Sequence, residues 1–162
     1  MMNTSVRPTD SIEQIMKTYG NMLYRICLAT TGNESDAEDA VQETMLKYLR
    51  KSPQFTDSEH EKAWFIRVAV NKCRDIIRYR KRHPIADMEE AENLTDFKEE
   101  SGILDVLEVL PEKYRTVLEL YYVEEYNTSE IAEIIWKTTS AVKMRLQKGR
   151  KLLADAYRKE CL

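Results

Sequence analysis

Four carboxylates, Asp36, Glu38, Asp39 and Glu43, fall within a few turns of one another in a stretch with helical spacing. Such a cluster has three chemical uses: holding a divalent metal, steadying the positive end of a helix dipole, or offering negative charge to a basic partner. A carboxylate metal site of the helical kind needs a His three or four positions on, and none stands there. The other two uses stay open. Opposite in sign is the run Lys62, Arg67, Lys72, Arg74, Arg78, Arg80, Lys81 and Arg82, interrupted only by Asp75, with Asn71 inside it. A second basic run, Lys137, Lys143, Arg145, Lys148, Arg150, Lys151, Arg158 and Lys159, lies near the carboxyl end. One basic helix face is commonly plain solvated surface. Two such runs, each ending an apolar-periodic helix, suit nucleic-acid phosphates, although charge alone does not separate DNA from RNA or from an acidic protein.

The elements that must position these groups follow from apolar spacing. Ile12, Ile15, Met16, Tyr19, Met22, Leu23, Ile26 and Cys27 recur at steps of three and four, predicting a helix that ends near Thr31-Gly32-Asn33, with Asp10 and Glu13 to cap its start. Ser35 with Glu38 has capping-box spacing and opens a second helix that turns Val41, Met45, Tyr48 and Leu49 inward and fades near Pro53. Ser58 with Glu61 offers another box. The run from Ala63 to Ala69 is broken only by Arg67, as for a helix buried on most sides; Trp64 and Phe65 therefore belong to the core. Beyond Asn71 this helix turns basic, with Cys73, Ile76 and Ile77 inward, until His83-Pro84 stops it. Pro111 sits where a helix starts, with Tyr114, Val117, Leu118 and Tyr121 inward. Asn127 and Glu130 form a third capping box ahead of Ile131, Ala132, Ile134 and Ile135. Trp136-Lys137-Thr138 then makes a turn before a long basic helix. Its Ala141, Val142, Leu146, Leu152 and Leu153 face inward. This is helix-turn-helix order, in which the second helix enters the major groove.

The chain of 162 residues has a formal charge of -3, only four Gly and four Pro, and no pattern of alternating strands. An all-α fold is expected, in two small helical domains: residues 1–83, then an acidic linker over 84–102, then residues 103–162. The near-neutral total conceals segregation, because Asp87, Glu89, Glu90, Glu92, Asp96, Glu99, Glu100, Asp105 and Glu108 collect between the basic runs. No apolar stretch approaches the roughly 18 residues of a membrane span, and the start MMNTSVRPTDS lacks a signal pattern, so membrane insertion is not expected and the cytoplasm is. Cys27, Cys73 and Cys161 are widely spaced, without a Cys-x-x-Cys pair, so neither a disulfide nor a zinc framework is expected; Cys27 and Cys73 fall within apolar helical patterns and read as small hydrophobes.

Three stretches together resemble the extracytoplasmic-function sigma factors of bacterial RNA polymerase, a branch of the sigma-70 family. ESDAEDAVQETMLKYLR resembles the region-two helix that docks on the clamp helices of the polymerase's largest subunit. KAWFIRVAVNKCRDIIRYRKR resembles the promoter-melting and minus-ten segment. LPEKYRTVLELYYVEEYNTSEIAEIIWKTTSAVKMRLQKGRKLL is similar to the region-four reader of the minus-thirty-five element. The likeness runs from Tyr19 to Tyr157.

The resemblance implies that Asp36, Asp39, Gln42 and Glu43 contact core polymerase. It implies that Asn71 reads a flipped-out base beside Lys72, Arg74, Arg78, Arg80 and Lys81, since a base edge is legible only once it leaves the stack. It places Thr139, Ser140, Lys143, Met144, Arg145, Gln147 and Lys148 at the minus-thirty-five groove. It further implies control by an anti-sigma protein, with catalysis left wholly to the polymerase: no catalytic residue, metal or cofactor is expected. The acidic linker would then imitate nucleic acid inside the polymerase channel. One departure concerns the turn, where the family usually has Gly then an apolar residue and this chain has Trp136 then Lys137. A Trp at positive φ is strained, so the preceding helix is expected to run on or the turn to take another shape. A stand-alone helix-turn-helix repressor, with residues 1–83 as a dimerisation or ligand domain, is the competing reading; a metal enzyme built on the acidic cluster lacks its ligand set.

Overall fold

The computed structural model describes residues 8–83 and 109–161; the acidic stretch, the expected linker over 84–102 and the order expected near Ile103 lie outside the described residues. Within them the chain is helical, with no strand. Helices α1 (Pro8–Thr31), α2 (Glu34–Lys51) and α3 (Ser58–Arg82) pack mutually as one bundle. Helices α4 (Glu112–Leu118), α5 (Thr128–Ile135) and α6 (Thr139–Cys161) form the second group, with a π-helical turn, Glu119–Val123, continuing α4.

Apolar spacing explains the core. Leu23, Ile26 and Cys27 of α1 meet Ala37, Ala40 and Val41 of α2 and Phe65, Ile66, Ala69 and Cys73 of α3, all buried. Phe65 is fully enclosed and its ring lies 5.3 Å from those of Tyr19 and Tyr48, so the aromatic pair at 64 and 65 packs the core as expected. Cys27 and Cys73 are buried, free thiols. Leu49 departs from expectation, being 40 % exposed at the end of α2, where the bundle no longer covers that face.

Two helix starts also differ from the sequence expectation. Asn33, not Ser35, caps α2: at φ -146° its side chain accepts a 2.9 Å bond from the Asp36 amide. Asp57, not Ser58, caps α3, accepting from the His60 amide at 2.8 Å. Both true caps lie earlier in the chain because an extended residue must precede the first helical turn, and Gly32 at φ 71° delivers Asn33 in that state. The box at Asn127 and Glu130 forms as expected, with reciprocal bonds of 2.8 and 2.9 Å. In α4 the π turn inserts a residue into the helical register, so Leu120 is fully buried while Tyr121 is only partly covered.

The two groups touch. Thr30 of α1 and Thr116 of α4 share a buried 2.8 Å hydroxyl bond, and Arg115 donates to the Thr30 carbonyl at 3.0 Å. Arg25 pairs with Glu124 at 3.4 Å, and Arg67 of α3 donates to the Glu133 carbonyl of α5 at 3.1 Å.

Candidate nucleic-acid interface

Helix α2 presents Asp39 and Gln42 to solvent and Glu43 partly so, with Asp39 and Glu43 on the side that faces α3. Asp36 does not join them. Its side chain is 6 % exposed and holds Arg80 of α3 in a two-point ion pair, with one bond of 2.6 Å from Nη2 to Oδ1. These two residues, expected to reach polymerase and minus-ten DNA respectively, tie α2 to α3 at the floor of the groove that Asp39 and Glu43 also line. Glu43 is linked more loosely to Lys72, 3.9 Å away on α3. Asp39, Glu43, Lys72, Tyr79 and Arg80 thus line one groove, of about 380 Å³, between the acidic and the basic helix.

Along α3, Asn71 and Lys72 are half-exposed, Arg78 and Lys81 exposed, and Arg74 partly covered. Burial, then the positive charges of Arg145 and Arg78, depresses the Arg74 pKa. The end of α3 carries a pair that sequence reasoning passed over: Tyr79, 60 % exposed, stacks on His83 with ring centres 4.1 Å apart. An exposed aromatic plate among Arg78 and Arg82 is the equipment for holding an unstacked base. Its sequence signal was an aromatic residue on the outward face of a basic helix.

The second unit is a helix-turn-helix. Thr138 caps α6 by accepting from the Ala141 amide at 3.0 Å, and Val142 and Leu146 anchor the helix in the core. Ser140, Lys143, Met144, Gln147 and Lys148 are exposed; Thr139 is half-covered. Arg145 leaves this row, pointing instead toward Arg74 of α3. The turn keeps the left-handed shape despite the strain expected for a Trp there, and α5 does not run on. Trp136 adopts φ 56° and ψ 50°, and the Lys137 amide reaches the Ala132 carbonyl at 3.0 Å, closing a Schellman-type cap. The Trp136 ring lies 5.6 Å from the guanidinium of Arg67, a contact that offsets part of the backbone strain. The sequence marks Arg67 as a lone charge inside an otherwise apolar run, but not its contacts with α5 and the turn.

This succession of acidic helix, basic helix and helix-turn-helix is matched in known families. Residues 15–83 match Sigma-70 region 2, and residues 101–153 match Sigma-70, region 4. RNA polymerase sigma factor SigV of Bacillus subtilis is 33 % identical over 143 residues, 86 % of each chain. This chain belongs to the sigma-70 family, among its extracytoplasmic-function members. A second similar sigma factor, SigW of the same organism, is 31 % identical over 92 % of this chain and 90 % of its own. The fold also matches that of the sigma factor RpoE co-crystallised with the anti-sigma factor NepR from Bartonella quintana, with a TM-score of 0.71 at 18 % identity over 91 % of this chain and 97 % of that one. CnrH, solved in complex with the cytosolic domain of CnrY, gives 0.68 at 21 % identity over 93 % of this chain and 90 % of that one. As a sigma factor the protein binds core RNA polymerase and directs it to promoters; it is an initiation factor, not an enzyme. Among the described residues no helix is long and apolar enough to cross a membrane.

Proposed function

We propose that this sigma factor divides promoter recognition between its two helical units, residues 1–83 and 103–162. Asp39, Gln42 and Glu43 dock on the clamp helices of the polymerase's largest subunit. Asn71 captures an unpaired minus-ten base while Lys72, Arg74, Arg78 and Lys81 hold phosphates, and Tyr79 supplies a stacking surface. The start of α6 reads the minus-thirty-five major groove through Thr139, Ser140, Lys143, Met144, Gln147 and Lys148. Asp36 and Arg80 act inside the fold, keeping α2 and α3 in register. Arg145 serves phosphate contact from the flank of α6.

The observation carrying this reading is the row Ser140, Lys143, Met144 and Gln147, exposed on the first turns of a helix whose opposite face is locked by Val142 and Leu146. A helix-turn-helix reads base edges with those turns. Capturing bases that have left the stack shifts the duplex toward its open form, which is the work required at minus ten. The match to RpoE, solved with its anti-sigma factor, supports control of this chain by a protein of that kind.

Run-off transcription with purified core polymerase and candidate promoters tests the assignment. Wild type should initiate selectively. Asn71→Ala and Lys143→Ala should lose promoter discrimination while still binding core enzyme, and Asp39→Ala should lose core binding. Initiation that ignores the template sequence in wild type, or discrimination intact in both DNA-facing variants, would refute it.

A further inference from the structure

A cleft of about 290 Å³ opens where the two helical groups meet, floored by the Thr30 and Thr116 hydroxyls. Cations converge on it from separate elements: Arg74, Arg78 and Lys81 from α3, Lys113 from α4, Lys137 from the helix-turn-helix turn, and Arg145 from α6. Glu112 is the one carboxylate among the residues lining it, and it sits 3.8 Å from Lys81. The lining thus gathers six positive side chains and one negative one, with Arg78 also paired to Asp75 at 3.5 Å beside the cleft. Burial first, and then the charges of Arg145 and Arg78, lower the Arg74 pKa, with Glu112 opposing.

A cavity so charged selects an anion, and its shape sets which kind. The volume stands at the low edge of small-molecule sites, roughly 300 Å³ and upward, and is too narrow for a nucleic-acid duplex. One inorganic phosphate reaches few of six cations spread around a cleft; a short chain of phosphates reaches cations of both groups at once. Multivalent contact of that kind also favours the closed arrangement, because a ligand stabilises the state that offers it more partners. We propose that the cleft between the two helical groups is a binding site for a small polyphosphate-type anion, which clamps them together.

Arg74, Arg78, Lys81 and Arg145 are the side chains assigned to promoter phosphates, so anion and promoter compete. Lys113 and Lys137 are both exposed and are not among the residues assigned above to promoter or polymerase; Lys113 also lies 5.1 Å from the Tyr114 ring.

The test is isothermal titration of the full chain, without polymerase, at constant ionic strength. The titrants are sodium tripolyphosphate, magnesium-free ATP and orthophosphate. One tripolyphosphate should bind per chain, with affinity at least tenfold above orthophosphate. Lys113→Ala combined with Lys137→Ala should weaken it at least tenfold, while Lys17→Ala with Lys51→Ala, elsewhere on the surface, should change it less than twofold. Equal affinities for ATP and tripolyphosphate would identify the phosphate chain as the whole determinant; tighter ATP would identify a nucleotide. Several weak equivalents per chain, equal losses in the two double variants, or orthophosphate binding as tightly would overturn the proposal. Because polymerase and promoter are absent, these outcomes do not depend on the promoter assignments above.

Discussion

The Asp36–Arg80 pair separates a residue that builds the fold from its neighbours that serve partners. The perturbation is Asp36→Asn, which keeps the shape and the amide bonded to Asn33 but removes the charge. Asp36 is 6 % and Arg80 19 % exposed, so the guanidinium would be left mostly desolvated without its counter-ion. Breaking a buried pair costs about 3–5 kcal/mol; the fifth of Arg80 still in water and the acceptor oxygen retained by Asn reduce this to about 2–3 kcal/mol. For a chain of this size that lowers Tm by about 5–10 °C. Thermal and urea unfolding followed by circular dichroism read the loss directly. Removing both charges, Asp36→Leu with Arg80→Met, should return stability to within about 1 kcal/mol of wild type, because neither half is then unpaired. A single variant costing less than about 0.5 kcal/mol, or a double variant no better than the sum of its singles, would refute the coupling. Asp39→Ala, on the exposed side of the same helix, should leave Tm unchanged.

Further outcomes follow from particular atoms. Trp136→Gly should be more stable than Trp136→Ala by about 1 kcal/mol in urea unfolding, since only Gly relieves the left-handed strain while both lose the Arg67 contact. Gly32→Ala should cost about 1–2 kcal/mol, as it places a Cβ at φ 71° only 3.0 Å from Arg115 Nη1. Glu119 is pushed up to about 7 from its ordinary 4.5 by burial and then by Glu124, with Arg25 opposing. Between those values the unfolded chain ionises while the folded one keeps its proton, so stability should fall as pH rises from about 4.5 to about 7 and stay low above. Glu119→Gln should flatten that slope and add about 1–2 kcal/mol at pH 8, allowing for partial solvent screening.

Periodicity made the helices legible because burial of a stripe is a local property of the chain: Leu23, Ile26 and Val142 could be named inward from spacing alone. Caps were legible only in part. Ser35 and Ser58 each have a Glu three residues on, yet Asn33 and Asp57 hold the extended backbone that a cap requires, and backbone state is not written in residue type. The π turn after Leu118 has no local signature, so Leu120 replaced Tyr121 in the core unannounced. The site divides the same way. Outward positions on α6 follow from the inward ones, whereas Asp36 could not be withdrawn from the surface without knowing that Arg80, 44 positions later, folds onto it. The conformation of Trp136 is not legible locally, because the contact that offsets its strain comes from Arg67, on a different helix.

The two helical groups share one cluster of buried apolar side chains, and polar contacts add to it. Thr30 to Thr116, Arg115 to the Thr30 carbonyl, Arg25 to Glu124, Lys81 to Glu112 and Arg67 to the Glu133 carbonyl are hydrogen bonds and ion pairs, the first of them buried. Arg67 connects this surface to the reader directly, since it touches both the end of α5 and the turn at Trp136. On the proposed division of promoter recognition, moving the helix-turn-helix onto a separate promoter element would break that contact and free Arg145 from the side of Arg74. Removing it beforehand should therefore favour the parted arrangement. Arg67→Ala should raise the radius of gyration of the free chain in solution scattering and speed hydrogen exchange at the amides of α5, while promoter binding with core polymerase is retained. An unchanged radius together with unchanged exchange would mean that Arg67 holds nothing together.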